Sequence, residues 1–356
     1  MKELDSKNKR NSSIEFFKIF GIFLIIIAHL TQTLMGTNNL INTSDIINVG
    51  SSSTSINNII LNLFFYLGTI GNFMFLIPSC YFLSDKNETK IKKVLYIVVD
   101  VWIVSVLFLI TFLLFNVDIA KGDILKSFFP ISFANNWYIT CYLLLFILSP
   151  YINKIINNSN KEELKKILLL LIIVYFGICF VKSDMFFCNN LIMFIVIYII
   201  VGSIKKLEIK FSEKKVFLFS TLICIIGFLA LNYLGLKISF LSDKMLHFAK
   251  LNNIFIFTAV LSLFYLIKNN NWYSKTINYI ASLSLLIYII HENLLFRKYF
   301  RYLYFHFVNT SFGYDHIVIW ILLYGIIIFI LAIVLSSVYE LTIKKIVKKT
   351  LNKINI

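Results

Sequence analysis

Long apolar runs separated by short polar segments repeat along the whole chain. Each run approaches the roughly 20 residues that a helix needs to cross the hydrocarbon core of a bilayer. The pattern predicts ten membrane-spanning helices, at residues 14–36, 56–83, 94–116, 135–153, 167–181, 190–204, 216–235, 251–267, 277–296 and 316–340. The fifth and sixth runs are short, so one re-entrant hairpin around residues 182–190 is the alternative to two spans. The predicted fold class is an all-α, polytopic integral membrane protein.

The composition supports this class. Of the 356 residues, 59% are hydrophobic and 15% are charged, whereas a soluble protein carries about 25% charged residues. The net charge of +16 comes from lysines in short blocks between apolar runs, which is the pattern of cytoplasmic loops. We therefore expect the basic residues to face membrane lipid and cytoplasm, and we expect no nucleic-acid partner.

The distribution of lysine and arginine predicts the orientation. Of the 34 basic residues, 24 lie in the terminal segments and the even-numbered loops, 9 lie in the odd-numbered loops, and Lys18 lies inside the first span. Because cytoplasmic loops are enriched in these residues, both termini are predicted to be cytoplasmic. The expected organisation is a cytoplasmic N-terminal segment (1–13), a ten-span membrane domain (14–340) and a basic cytoplasmic tail (341–356).

The first span carries three ionisable residues, Glu15, Lys18 and His29. Such residues are costly at membrane depth and mark candidate functional sites. Lys18 and His29 are eleven residues apart, which places them on one helical face, roughly 16 Å apart along the axis, with Glu15 close to the same stripe. We interpret these three as the candidate catalytic residues.

Two structural alternatives remain open for this stripe. Lys18 lies near the start of the helix and is able to extend to the headgroups, with Glu15 as its surface partner. His29 lies roughly 22 Å along the helix, too deep to reach the near surface. Its structural alternative is a hydrogen bond to a neighbouring helix.

The ninth span carries a second polar stripe. Ser284, Tyr288 and His291 follow one another at offsets of four and three, so they share a helical face, whereas Glu292 is turned about 100° away. If both spans run outward, His291 lies at nearly the depth of His29, and the two imidazoles are expected to meet. The alternative is a stripe that only packs helices together.

The fourth span opens with polar and aromatic residues at its outer end. The paired residues Asn135 and Asn136 are candidates for hydrogen bonding to a sugar. The alternative for Trp137 and Tyr138 is an interfacial aromatic belt. Asp100, in the third span, is expected to pair with a base on a neighbouring helix.

Several chemistries are disfavoured by the absence of their motifs. The sequence has no Gly-rich phosphate loop, no HExxH, no GxSxG and no metal-ligand spacing among its histidines and cysteines. We therefore expect no metal. The loops are too short to fold a catalytic domain of their own. Any chemistry is expected within the membrane or at its faces.

Four segments in order along the chain resemble the membrane acyltransferase-3 family. The segments are Glu15-Phe16-Phe17-Lys18 followed after ten residues by His29, FLIPSCYFLS at 75–84, the Trp-bearing span 135–156 that closes on Pro150, and the Ser284, Tyr288, His291 signature. Lys18 stands where the family usually has arginine, and it keeps the positive charge. Ten spans also fit the family.

The resemblance implies a bacterial plasma-membrane O-acetyltransferase. The donor would be cytoplasmic acetyl-CoA or another acyl-CoA, and the acceptor a hydroxyl of an extracytoplasmic polysaccharide. His29 would act as the base, oriented by Glu15 or by another acid, and Lys18 would hold an anionic part of the donor. Tyr288 and His291 would position the acceptor or stabilise the oxyanion.

The remaining roles and alternatives follow from the same resemblance. Asn136 and Trp137 would line the outer mouth of the site, and Ser284 would belong to the substrate-binding stripe. The chain either completes the transfer itself or hands the acyl group to a separate extracellular enzyme. A transporter of polysaccharide or of a small molecule is the alternative function on the same scaffold, and an accessory subunit without turnover is a third.

Overall fold

The computed structural model describes residues 10–35, 56–88, 90–182, 188–242, 244–308 and 315–353, and within them the chain is helical with no strand. The helices are α1 (Ser12–Leu34), α2 (Ile56–Leu83), α3 (Ile91–Leu114), α4 (Lys121–Phe128), α5 (Trp137–Asn158), α6 (Lys161–Leu171), α7 (Cys179–Val181), α8 (Asn190–Lys206), α9 (Glu213–Lys237), α10 (Ser239–Ser242), α11 (Ile254–Lys268), α12 (Lys275–Ser282), α13 (Ser284–His291), α14 (Leu294–Val308), α15 (Ile317–Leu341) and α16 (Ile343–Asn352). A π-helical turn, Ile172–Ile178, joins α6 to α7.

The prediction of an all-α membrane protein is confirmed. Seven helices of the described residues are long and apolar enough to cross a membrane: α1, α2, α3, α5, the continuous α6–α7 run, α9 and α15. The helices α8 and α11, at 17 and 15 residues, are shorter. The count of ten spans and the cytoplasmic location of both termini stay predictions. Residues 1–9 and most of the first predicted outer loop, 36–55, lie outside the described residues.

The ninth span is the main correction. The apolar run 277–296 was expected to be one helix, but α12 ends at Ser282, α13 ends at His291 and α14 begins at Leu294. The side chain of Asn293 accepts hydrogen bonds from the backbone N–H groups of Leu295 and Phe296. This contact is the N-cap arrangement that starts a new helix. A run of apolar residues indicates burial but does not indicate an N-cap. The apolar run therefore does not predict the break between α13 and α14.

The first two helices pack at backbone distance because glycines meet between them. A Cβ added at Gly71 would lie 2.4 Å from the carbonyl oxygen of Gly21, and one added at Gly21 would lie 2.9 Å from the Cβ of Met74. Small residues permit this close approach of membrane helices. The contact fixes the height of α1, which carries His29, against α2.

Two buried polar groups of the spans pair with neighbouring helices. Asp100 of α3 lies 2.8 Å from the ammonium of Lys344 and accepts a hydrogen bond of 2.9 Å from the hydroxyl of Tyr339. The prediction that Asp100 pairs with a base is confirmed. In α2, Asn62 donates a hydrogen bond of 2.7 Å to Asn232 of α9. These contacts satisfy polar groups that lipid would leave unpaired.

Candidate active site

The polar stripe of α1 divides into two separate sites. At the N-terminal end of α1, a carboxylate oxygen of Glu15 lies 2.6 Å from the ammonium of Lys18, and the other lies 3.1 Å from the guanidinium of Arg10. Glu15 is fourteen residues from His29, or roughly 21 Å along the helix axis. Glu15 therefore lies too far away to orient His29. The alternative expectation, that a different acid orients this histidine, applies instead.

The acid beside His29 is Glu292. The Nδ1 atom of His29 lies 2.8 Å from Oε1 of Glu292. The separation suits an ion pair, although the ring is not turned to give good hydrogen-bond geometry. A lone pair at that distance would repel the carboxylate, so the proton of the neutral imidazole belongs on Nδ1. The other nitrogen, Nε2, then carries the lone pair.

Two guanidinium groups lie at ion-pair distance from Glu292. Arg301 contacts Oε1, and Arg297 lies 3.4 Å from Oε2. Arg301 also donates a hydrogen bond of 3.4 Å to the backbone carbonyl of His291. Glu292 is 2% exposed and Arg301 is 3% exposed. A buried charge pair with these additional contacts is a rigid support for the imidazole that it touches.

The second imidazole lies next to the first, as the sequence predicted. The rings of His29 and His291 are 5.6 Å apart between centroids. The Nδ1 atom of His291 lies 2.9 Å from the carbonyl oxygen of Ile287. A carbonyl only accepts, so Nδ1 donates and Nε2 of His291 is left with a lone pair. That Nε2 is buried and has no hydrogen-bond partner.

Two tyrosines continue the row of rings from the histidine pair. The ring of Tyr288 is 5.2 Å from that of His291, and the ring of Tyr138 is 5.4 Å from that of Tyr288. Both hydroxyls are buried and neither makes a hydrogen bond. Unpaired buried polar groups are rare in folded proteins, and a bound ligand or a bridging water is one explanation for them. Full burial also excludes the interfacial belt as the role of Tyr138.

A polar cavity of about 340 Å³ adjoins His29. Its lining combines amide side chains with a lysine and aromatic rings, and the polar and aromatic members are His29, Gln32, Phe65, Thr69, Asn72, Trp137, Cys188, Asn190, Lys250 and Asn252. Trp137 therefore lines the cavity that adjoins His29. Asn136 is buried and does not line this cavity, and its Nδ2 atom has no hydrogen-bond partner. Ser284 starts α13 and lies roughly 10 Å along that helix from His291.

Arg301, Arg297 and Glu292 belong to the site, although the sequence pattern does not predict it. The predicted topology places both arginines in an outer loop, and a continuous helix would turn Glu292 about 100° away from the stripe. Glu292 is in fact the residue after α13 ends. A carboxylate and two arginines within ten residues of a candidate histidine were the available signal.

The same cluster brings together three groups of metal-ligand type. Donor atoms of His29, His291 and Glu292 all lie within 4.8 Å of one another, although sequence spacing had suggested no such group. A cation would need the carboxylate, but the guanidinium of Arg301 already contacts Oε1. The arrangement therefore fits a charge-supported imidazole better than a metal centre.

Comparison with known proteins gives one decisive match. A family model for an acyltransferase domain, that of the acyltransferase-3 family, matches residues 11–339. The chain belongs to this family. No curated protein and no solved structure matches the chain. As an acyltransferase-3 protein with several helices able to cross a bilayer, the chain is a multi-pass membrane acyltransferase.

Proposed function

We propose that this acyltransferase-3 protein is an O-acyltransferase of the cell envelope. It transfers an acetyl or other acyl group from cytoplasmic acyl-CoA to a hydroxyl of an extracytoplasmic glycan. The observation that carries the proposal is the imidazole of His29, backed by Glu292 and Arg301 and open to a polar cavity. The proposed location is the bacterial plasma membrane.

The reaction needs a base, and His29 has the required arrangement. An imidazole, with an unperturbed pKa of about 6.5, accepts protons near neutral pH. In the proposed step, Nε2 of His29 takes the proton of the acceptor hydroxyl while the alcohol oxygen attacks the thioester carbonyl. Glu292 stabilises the imidazolium that forms. The intermediate then expels CoA thiolate, which takes the proton back from His29 and leaves an ester and free CoA.

The oxyanion of the tetrahedral intermediate needs hydrogen-bond donors in a water-free site. The hydroxyls of Tyr288 and Tyr138 are the groups of this kind that extend from the histidine pair, and both are unpaired. We assign them to the acyl carbonyl. His291, through its unpaired Nε2, would accept a hydrogen bond from a second hydroxyl of the acceptor.

The acceptor would occupy the polar cavity beside His29. Amide groups of Asn72, Asn190 and Gln32 suit sugar hydroxyls because an amide both donates and accepts. Trp137 offers an apolar ring for stacking on a sugar face. The cavity thus provides both polar and apolar contacts on the side of α1 that bears the base.

The test is acyl transfer by the purified full chain in lipid nanodiscs. Radiolabelled acetyl-CoA is supplied with cell-envelope polysaccharide, and labelled glycan and free CoA are both measured. His29→Ala should abolish both products, whereas the control His316→Ala, at the start of α15, should retain them. Full activity of His29→Ala would refute the proposal. In proteoliposomes, transport of glycan by a wild type that consumes no acetyl-CoA would establish the transporter instead.

A further inference from the structure

A second cavity, of about 450 Å³, lies at the inner end of α1. Its lining mixes cations, amides and aromatic rings: Arg10, Asn11, Ile14, Glu15, Tyr81, Phe82, Lys268 and Asn269. It shares no lining residue with the cavity beside His29. On the predicted orientation this inner cavity faces the cytoplasm.

Lys268 is the distinctive residue of the inner cavity. Its ammonium lies 3.9 Å from the ring centroid of Tyr265 and 4.9 Å from that of Tyr81, whose hydroxyl is 3.3 Å away. Aromatic faces attract a cation without neutralising it. Within the described part of the chain, no carboxylate lies at ion-pair distance from this ammonium, so Lys268 is a positioned charge that lacks a protein anion.

The neighbouring cations share a single acid. Arg10 and Lys18 both contact Glu15, which is 7% exposed. With Lys268 added, three cationic side chains lie near the inner end of α1, and the carboxylate of Glu15 pairs with two of them. The excess positive charge favours an anionic ligand carrying more than one negative charge. Lys18 is predicted to hold the anionic part of the donor, but it does not line this cavity, whereas Lys268 and Arg10 do.

A purely structural role explains only part of this arrangement. Lys268 ends α11, and a cation there interacts favourably with the helix dipole. That interaction requires neither the two aromatic rings nor a cavity. The amide Nδ2 of Asn11 already donates a hydrogen bond to the carbonyl of Lys268. The ammonium itself lies over the rings of Tyr265 and Tyr81, and Lys268 lines the cavity.

We propose that the inner cavity is a binding site for a phosphate monoester, with Lys268 and Arg10 as its cationic contacts and Tyr81 as the ring that positions Lys268. This inference rests on the proposed function, in which the phosphate is that of the nucleotide part of acyl-CoA. Ile14, in the wall of the cavity, is fifteen residues from His29, or roughly 22 Å along α1. An extended pantetheine arm would have to cover that distance.

The site is tested by measuring binding to the purified full chain in nanodiscs of neutral lipid. The ligands are CoA, dephospho-CoA, which lacks the phosphate monoester, and pantetheine, which lacks all phosphates. Lys268→Gln should weaken CoA binding by about tenfold or more, because it removes a charged hydrogen-bond donor. Binding of dephospho-CoA should weaken less, and pantetheine binding should not change.

Two control variants keep the result interpretable. Lys268→Arg retains the charge and should restore most of the CoA affinity, whereas Lys210→Gln removes an exposed lysine elsewhere and should have no effect. Equal CoA affinity of Lys268→Gln and wild type would overturn the proposal. If the variant instead loses binding of phosphatidic acid and keeps that of CoA, the phosphate belongs to a lipid headgroup and the assignment to the donor is wrong.

The inference and the proposed function fail in different ways. Acyl transfer by Lys268→Gln with an unchanged KM for acetyl-CoA would refute the inner site alone. Lys268-dependent CoA binding by a wild type that transfers no acyl group would refute the O-acyltransferase and leave the phosphate site standing.

Discussion

At the scale of single residues, the balance of charge around Glu292 determines what His29 is able to do. One carboxylate serves two guanidiniums and one imidazole, all of them largely buried. Removing one member of such a cluster leaves an uncompensated charge in a low-dielectric interior. The same cluster therefore affects both the stability of the fold and the ability of His29 to act as a base.

Glu292→Gln should lower both stability and turnover. Loss of the carboxylate leaves Arg301 buried without its partner, which costs about 3–5 kcal/mol in comparable pairs, and it removes support for the His29 imidazolium. Thermal unfolding in detergent and acetyl-CoA turnover measure the two effects. The double variant Glu292→Gln/Arg301→Met should recover part of the melting temperature and none of the turnover. Normal turnover in either variant would contradict the assigned role.

Tyr138→Phe should reduce kcat with little change in KM for acetyl-CoA. The substitution keeps the ring that packs on Tyr288 and removes only the unpaired hydroxyl. Loss of one oxyanion donor costs roughly 10²-fold to 10³-fold in kcat. Tyr304→Phe is the matched control, since its hydroxyl is equally buried and unpaired but its ring packs on Tyr324. Equal effects of the two variants would assign Tyr138 to packing.

Several of these residues were accessible from the sequence and others were not. His29, His291 and Tyr288 stand out because ionisable or polar groups recur at helical spacing inside apolar runs. Glu292 was misplaced because helical periodicity applies only within a helix, and this residue follows the end of α13. Arg297 and Arg301 lie on α14, and the pattern of apolar residues does not predict this helix.

At the scale of helices, the close packing of α1 on α2 fixes the height of the site. Gly21 and Gly71 leave no room for a side chain between the two backbones. The sequence showed these glycines but not that they face each other, because the crossing point of two helices depends on tertiary packing. The position of His29 therefore depends on Gly21 and Gly71, which take no part in the reaction.

Gly71→Ala should separate α1 from α2 and displace His29. A methyl group 2.4 Å from the Gly21 carbonyl forces the backbones apart, and overpacking of this kind costs about 1–3 kcal/mol. Both melting temperature and turnover should fall. Gly122→Ala, where an added Cβ meets nothing within 4 Å, is the control and should behave as wild type. Unchanged melting of Gly71→Ala would show that the helices are free to adjust.

At the scale of the whole molecule, the two cavities lie towards opposite ends of α1. The polar cavity adjoins His29 and the inner cavity adjoins Glu15. Long apolar runs were enough to predict the seven long helices, because length and hydrophobicity define a span. It was not enough for the region 275–308, where short helices and a buried ionic cluster replace a single span. Membrane orientation remains a prediction from the lysine distribution.

Impermeant thiol labelling should confirm that orientation. In a background without the five native cysteines, Lys121→Cys should react in intact cells, because its loop is predicted to be outside. Lys214→Cys should react only after permeabilisation. Both positions are exposed at the start of a helix, so reactivity should differ only by compartment. The reverse pattern would invert the molecule and place the inner cavity outside.

The short junction between α13 and α14 has a consequence for control of the enzyme. Arg301 holds both the carboxylate of Glu292 and the backbone end of α13, so it joins two helices through one side chain. A movement of α14 that withdraws Arg301 would change the charge next to His29 without touching the imidazole. The packing of α14 therefore helps to set the charge environment of the base, although the base itself lies on α1.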